Sequence, residues 1–151
     1  MTNLSSSPSA RASRGFTLVE VLVALIVLSI GLLGIAALYV ETLKANRTAL
    51  SRTQAVTLAA DLADRIRANR ATAGAYACPD PCDPAGAGNA IAIDDLTEWL
   101  GNVQAQLPGG AGIVTYTDDG VATTPNVYTI EIDWTEVGQA DPIAYQLRVE
   151  I

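Results

Sequence analysis

Twenty consecutive residues, Val21 to Val40, carry no charged side chain. At ~1.5 Å per residue, a helix of that length reaches across roughly the 30 Å hydrocarbon core of a bilayer. This run predicts a single membrane span. It is preceded by Gly15-Phe16-Thr17-Leu18-Val19-Glu20 and by a leader, Met1 to Gly15, whose only charged side chains are Arg11 and Arg14. A secretory signal carries a shorter apolar core and is cut after it; here the small residue stands before the core, so a cut there leaves the helix on the mature chain. The leader is rich in serine and alanine and has no core to build, which predicts disorder.

A carboxylate at the border of the hydrocarbon, as Glu20 is, costs about 2 to 3 kcal/mol on insertion scales. Such a residue either snorkels to the headgroups or meets a neutralising partner. Cutting after Gly15 creates that partner, an ammonium on Phe16 one helical turn away, in the same or a neighbouring chain.

From Arg11 through Gly34 the chain resembles the class III signal of type IV prepilins and of type II secretion pseudopilins. The resemblance implies cleavage after Gly15 by the membrane-embedded aspartyl prepilin peptidase, methylation of the new amino terminus at Phe16, and subunit registration through Glu20. It places the leader in the cytoplasm. The charges of the leader fit that direction, but Lys44, Arg47 and Arg52 on the other side leave topology open on charge alone.

Cys78 and Cys82 are the only cysteines, set in Cys78-Pro79-Asp80-Pro81-Cys82, where the prolines enforce a turn. A disulfide closing a tight loop is the first reading, which fits an oxidising compartment and fixes a local surface shape. Two unpaired thiols are the alternative. A redox pair would more often show two intervening residues and a following helix. Zinc is disfavoured, since the chain has two sulfurs and no histidine.

With 151 residues, half of them hydrophobic, the chain has room for one membrane helix and one small soluble domain, which excludes a large enzyme. Losing the leader removes two of nine basic residues and none of sixteen acidic ones, so the side-chain charge becomes −9. That balance argues against nucleic acid as a partner. The absence of histidine removes Ser-His and Cys-His pairs, and no glycine-rich phosphate loop follows a strand. No catalytic residue and no cofactor are expected.

Glu41 to Arg70 contains neither glycine nor proline, so the helix is expected to continue beyond the bilayer. Leu58, Leu62 and Ile66, with Ala55, Ala59 and Ala63 beside them, form a narrow apolar stripe, while Asp61 with Arg65 and Asp64 with Arg67 stand at supportive charge spacings. A helix of about fifty residues far exceeds the globular mean and suggests a rod. Gly31 and Gly34 mark a place for local unwinding or for close helix packing. Major pilins often carry a proline a little further along, and this chain has none there.

Arg65, Arg67 and Arg70 end that helix, either as solvated charges opposing its dipole or as a contact for an acidic partner. Arg65-Ile66-Arg67-Ala68-Asn69-Arg70 after Ala59-Ala60-Asp61-Leu62-Ala63, together with Glu20-Val21-Leu22-Val23-Ala24-Leu25 and Gly31-Leu32-Leu33-Gly34, resembles PilV-type minor pilins.

Glycine, alanine and proline from Ala71 to Ala92 predict a loop that wraps away from the rod. Asp94 and Asp95 are expected to cap a short helix carrying Leu96, Trp99, Leu100, Val103 and Leu107 on one face, with Trp99 in the core rather than on a ligand. Residues 113–117, 127–135 and 143–151 read as strands. Tyr128, Ile130, Ile132 and Trp134 share one face, as do Ile143, Tyr145, Leu147, Val149 and Ile151. Asp118 and Asp119 together with Asp80 or Asp83 suggest calcium, but the sequence has no loop with regular ligand spacing, and turn chemistry explains them better.

The fold class expected is α+β: a long amino-terminal helix packed on an antiparallel sheet of three or four strands, as the pilin resemblance also implies. The organisation expected is a leader over 1–15, a membrane and exposed helix over 16–52 and a periplasmic head over 53–151. The resemblance implies a minor pilin held in the inner membrane and then taken into a type IV pilus. Its partners would be the prepilin peptidase, other minor and major pilins, the inner-membrane assembly platform and lipid along 21–40. A minor pseudopilin of type II secretion and a pilus-borne adhesin or DNA-binding module are the alternatives.

Overall fold

A computed structural model describes residues 15–72, 74–118, 120–121, 125–136 and 138–151. The leader up to Arg14 and the turn residue Asp119 lie outside the described residues.

Helix α1 runs Leu18–Ala68, a single helix of 51 residues. It is followed by a short 3-10 turn at Pro84–Gly86, helix α2 at Ala90–Gln106, and strands β1 (Ala111–Thr117), β2 (Val127–Trp134) and β3 (Ile143–Glu150). This is the α+β arrangement expected from the sequence and is consistent with a type IV pilin fold. The chain divides into two units, Met1–Thr42 and Leu43–Ile151. In the first, every described residue is exposed, since one helix has no neighbour to bury its side chains.

The second unit holds the core. Ala55, Leu58, Ala59, Leu62, Ala63 and Ile66 of α1 are buried with Leu96, Trp99 and Val103 of α2 and the inner face of the sheet. The apolar stripe read from the sequence is thus the packed face. The sheet is an antiparallel meander in the order β1-β2-β3. Val114, Ile130 and Leu147 face one another across it, as do Tyr116, Tyr128 and Val149. On β2, Tyr128, Ile130, Ile132 and Trp134 are all buried, as alternation predicts; on β3, Val149 is buried and Ile143, Tyr145 and Leu147 are half-buried.

Two expectations are corrected. Helix α2 starts at Ala90, because Asn89 holds an extended backbone and its side chain accepts from the Ala92 amide at 2.8 Å. Asp94 and Asp95 lie inside the helix. The segment after α1 also does not wrap away: Ala75, Tyr76 and Cys78 are buried in the core. Two backbone hydrogen bonds of 2.8 Å between Cys78 and Val114 hold it on the outer edge of β1, satisfying polar groups that a free edge would expose.

Strand β1 begins two residues earlier than its side chains suggest, taking in Gly112. A Cβ there would stand 2.4 Å from the Trp99 ring, so only glycine lets the indole lie on the strand.

Candidate processing and assembly site

At the head of α1, Gly15, Phe16 and Thr17 precede the first helical residue. Thr17 closes the helix: its Oγ1 accepts from the Glu20 amide at 3.2 Å, and its carbonyl accepts from Glu20 and Val21 at 3.1 and 3.3 Å. The Glu20 carboxylate stands in the first turn, where a negative charge favours the helix dipole, and has no partner among the described residues. Phe16 is 81% exposed. Open space surrounds the Cα of Gly15, Gly31 and Gly34 on the side a Cβ would take, so nothing among the described residues requires glycine at these positions.

The apolar stretch of α1 near the amino terminus is long and apolar enough to cross a membrane, and none of it is buried within the chain. Leu22, Leu25, Leu28, Leu32 and Leu33 are all exposed. Lipid or other apolar helices are the surroundings such a surface requires.

The three arginines at the far end of α1 have separate fates. Arg65 is held inside the chain: its Nε donates to Asp61 at 3.0 Å, and its Nη1 donates to Asp95 at 3.1 Å and Glu98 at 3.0 Å. Hydrogen bonding to Glu98 pushes the guanidinium pKa up, and the same contact holds the Glu98 carboxyl below the usual carboxylate range. Arg67 pairs with Asp64 at 2.8 Å, and Arg70 is exposed without a partner among the described residues.

Asp95 also accepts from the Tyr76 hydroxyl, linking the buried loop to α2. Burial, reinforced by this carboxylate, pushes the Tyr76 hydroxyl up to about 12. A second latch joins Glu136, after β2, to Trp134 Nε1 at 3.2 Å and Arg52 Nε at 3.3 Å. The links from Arg65 and Tyr76 to Asp95 and from Arg52 to Glu136 are not visible in the sequence, because each joins residues far apart in the chain.

Cys78 and Cys82 form a disulfide. Asp83 caps the 3-10 turn through the Ala85 amide, and Asp118 accepts from the Gly120 amide, so both serve turns. Among the described residues no group of three or more His, Cys, Asp or Glu side chains gathers to hold a metal.

Residues 10–36 match the prokaryotic N-terminal methylation motif, a span that contains Gly15, Phe16 and Glu20. Residues 37–79 match the type IV pilin Tt1218-like family.

Over residues 10–79 the chain is type IV pilin-like.

The two matches are contiguous and together cover α1 and the segment up to the first cysteine of the disulfide. No curated protein and no solved structure matches the chain. For a type IV pilin-like chain the exposed apolar helix fits a membrane anchor, and the matches point to a structural protein rather than an enzyme.

Proposed function

We propose that this chain is a minor pilin of the PilV type, cut after Gly15 by the prepilin peptidase, methylated on Phe16 and taken into a type IV pilus, where it helps to start assembly with other pilins. The observation that carries this reading is the Glu20 carboxylate, which has no partner among the described residues and stands one turn from Phe16 at the head of the exposed apolar stretch of α1. Left alone at the membrane border this charge costs about 2 to 3 kcal/mol. A new ammonium on Phe16 of an adjoining subunit offsets that cost and sets the register between them. The disulfide supports a periplasmic location for the second unit, where thiols are oxidised. With Arg65 and Arg67 engaged inside the chain, Arg70 is the member of the basic cluster open to an acidic neighbour.

Intact mass and amino-terminal sequencing of the protein from membranes test the reading. The expected product begins at methylated Phe16 and is replaced by the full precursor when the peptidase is absent. A chain that keeps its leader with the peptidase present, or is cut beyond Val40, overturns it. Recovery of the processed chain in sheared pili separates the pilus from a secretion machine.

A further inference from the structure

We infer that Thr17 is a positioning residue for leader removal: its hydroxyl ends α1 at Leu18 and thereby holds the Gly15–Phe16 peptide outside the helix, open to the peptidase. The inference rests on the reading that Gly15 is the cut site.

Cleavage adds water to the Gly15 carbonyl carbon and breaks its bond to the Phe16 nitrogen. The leader departs as a carboxylate and Phe16 keeps an amine that takes up a proton. The carbonyl must therefore be free. In this structure it has no partner among the described residues: Gly15, Phe16 and Thr17 are non-helical, and the first-turn amide of Glu20 is shared by the Thr17 hydroxyl at 3.2 Å and the Thr17 carbonyl at 3.1 Å. Helix starts leave four amides without partners, and close to hydrocarbon water is a scarce substitute. Without the hydroxyl the Thr17 carbonyl alone serves both the Glu20 and the Val21 amides, and the nearest remedy is one more turn of helix. Such a turn gives the Gly15 carbonyl to the Val19 amide and the Phe16 carbonyl to the Glu20 amide, the i to i−4 pattern. The scissile bond would then lie within the first turn, its carbonyl engaged. Serine, threonine and asparagine oppose this by capping; valine has the shape of threonine without the acceptor.

The experiment follows initial cleavage rates of the full-length chain in membranes by the prepilin peptidase, for wild type, Thr17→Ser, Thr17→Asn, Thr17→Val, Thr17→Ala and Gly15→Val. Loss of the cap is expected to slow cleavage by ~fivefold in Thr17→Val and Thr17→Ala, the change a cap of ordinary strength makes in an equilibrium. Thr17→Ser and Thr17→Asn should stay near wild type. The carbonyl carbon resonance of labelled Gly15 should move toward helical values in the slow variants alone. Wild-type rates in Thr17→Val overturn the inference. So does slow cleavage of Thr17→Asn, which would mean that the peptidase reads threonine itself. Gly15→Val places its side chain in open space within the chain, so its normal cleavage would instead overturn the assignment of the cut site.

Discussion

The indole Nε1 of Trp99 donates to the main-chain oxygen of Leu58 at 2.9 Å, buried between α2 and α1. The opposite edge of the same ring lies over Gly112 of β1. One side chain thus joins both helices and the sheet, and its fit to the strand depends on a missing methyl group.

Replacing Gly112 with alanine puts a methyl carbon within 2.5 Å of two ring atoms and should destabilise the second unit by about 1 to 3 kcal/mol, as overpacking does. Trp99→Phe loses the bond to Leu58 and should cost a similar amount, about 1 to 3 kcal/mol. Denaturant titration in detergent, read by tryptophan fluorescence, measures both. The only two tryptophans are buried in the second unit, so the exposed apolar stretch of α1 does not contribute to the signal.

Arg65 and Arg67 look alike in sequence and should behave differently. The Arg65 side chain is 23% exposed and serves three carboxylates, whereas that of Arg67 is 54% exposed and serves one. Arg65→Ala should cost about 1 to 3 kcal/mol because it strands the partly buried Asp95, and Arg67→Ala less than about 0.5 kcal/mol. Lysine at 65 should restore only part of the loss, since it lacks the planar fork that reaches several partners at once. The same titration reads all three variants.

Acid should weaken the fold through Glu98. Its folded pKa is depressed by Arg65, so its contribution is present above the ordinary glutamate value, ~4.3, and is lost as pH falls through the folded value. Stability measured from pH 6 downward should fall less steeply in Glu98→Gln than in wild type.

Alkali should act through Tyr76 in the opposite sense. Its folded pKa is raised from 10.0 to about 12, so the stabilisation is complete below pH 10 and is lost as pH rises toward 12. Two units correspond to roughly 3 kcal/mol at ~1.4 kcal/mol each. Tyr76→Phe should flatten the decline without abolishing it, since burial also raises Tyr116 and Tyr128.

Removing the disulfide should have a small effect for a native crosslink. The bridge spans a sequence separation of 4, and closing so short a loop is worth about 2 kcal/mol in the chain-entropy account. The double variant Cys78→Ser, Cys82→Ser should lose about that much in denaturant titration and retain the fold.

Much of the fold was legible because its signals are local. The burial of Leu58, Leu62 and Ile66 follows from helical spacing, and that of Tyr128 to Trp134 from alternation. The charge pairs of Asp61 with Arg65 and Asp64 with Arg67 follow from their separation. The start of α2 was misread because Asp94 and Asp95 have the chemistry of caps, while Asn89, after a glycine-rich stretch, holds the extended backbone that a cap needs. The loop after α1 was misread because its composition is that of a surface turn. Its burial depends on Tyr76 finding Asp95, 19 residues away.

The sequence by itself determined the membrane-capable helix, the methylation motif at its head and the two faces of the sheet. Chain length against bilayer thickness, the cost of one carboxylate at an apolar border and the periodicity of side chains are properties of contiguous residues. Only the tertiary structure decided that Arg65 is committed to Asp95 and Glu98, that Gly112 must be glycine and that the Cys78 segment closes the edge of β1. Each of these joins segments distant in the chain, and the free energy of such a contact exists only once packing has brought the partners together and excluded water from between them.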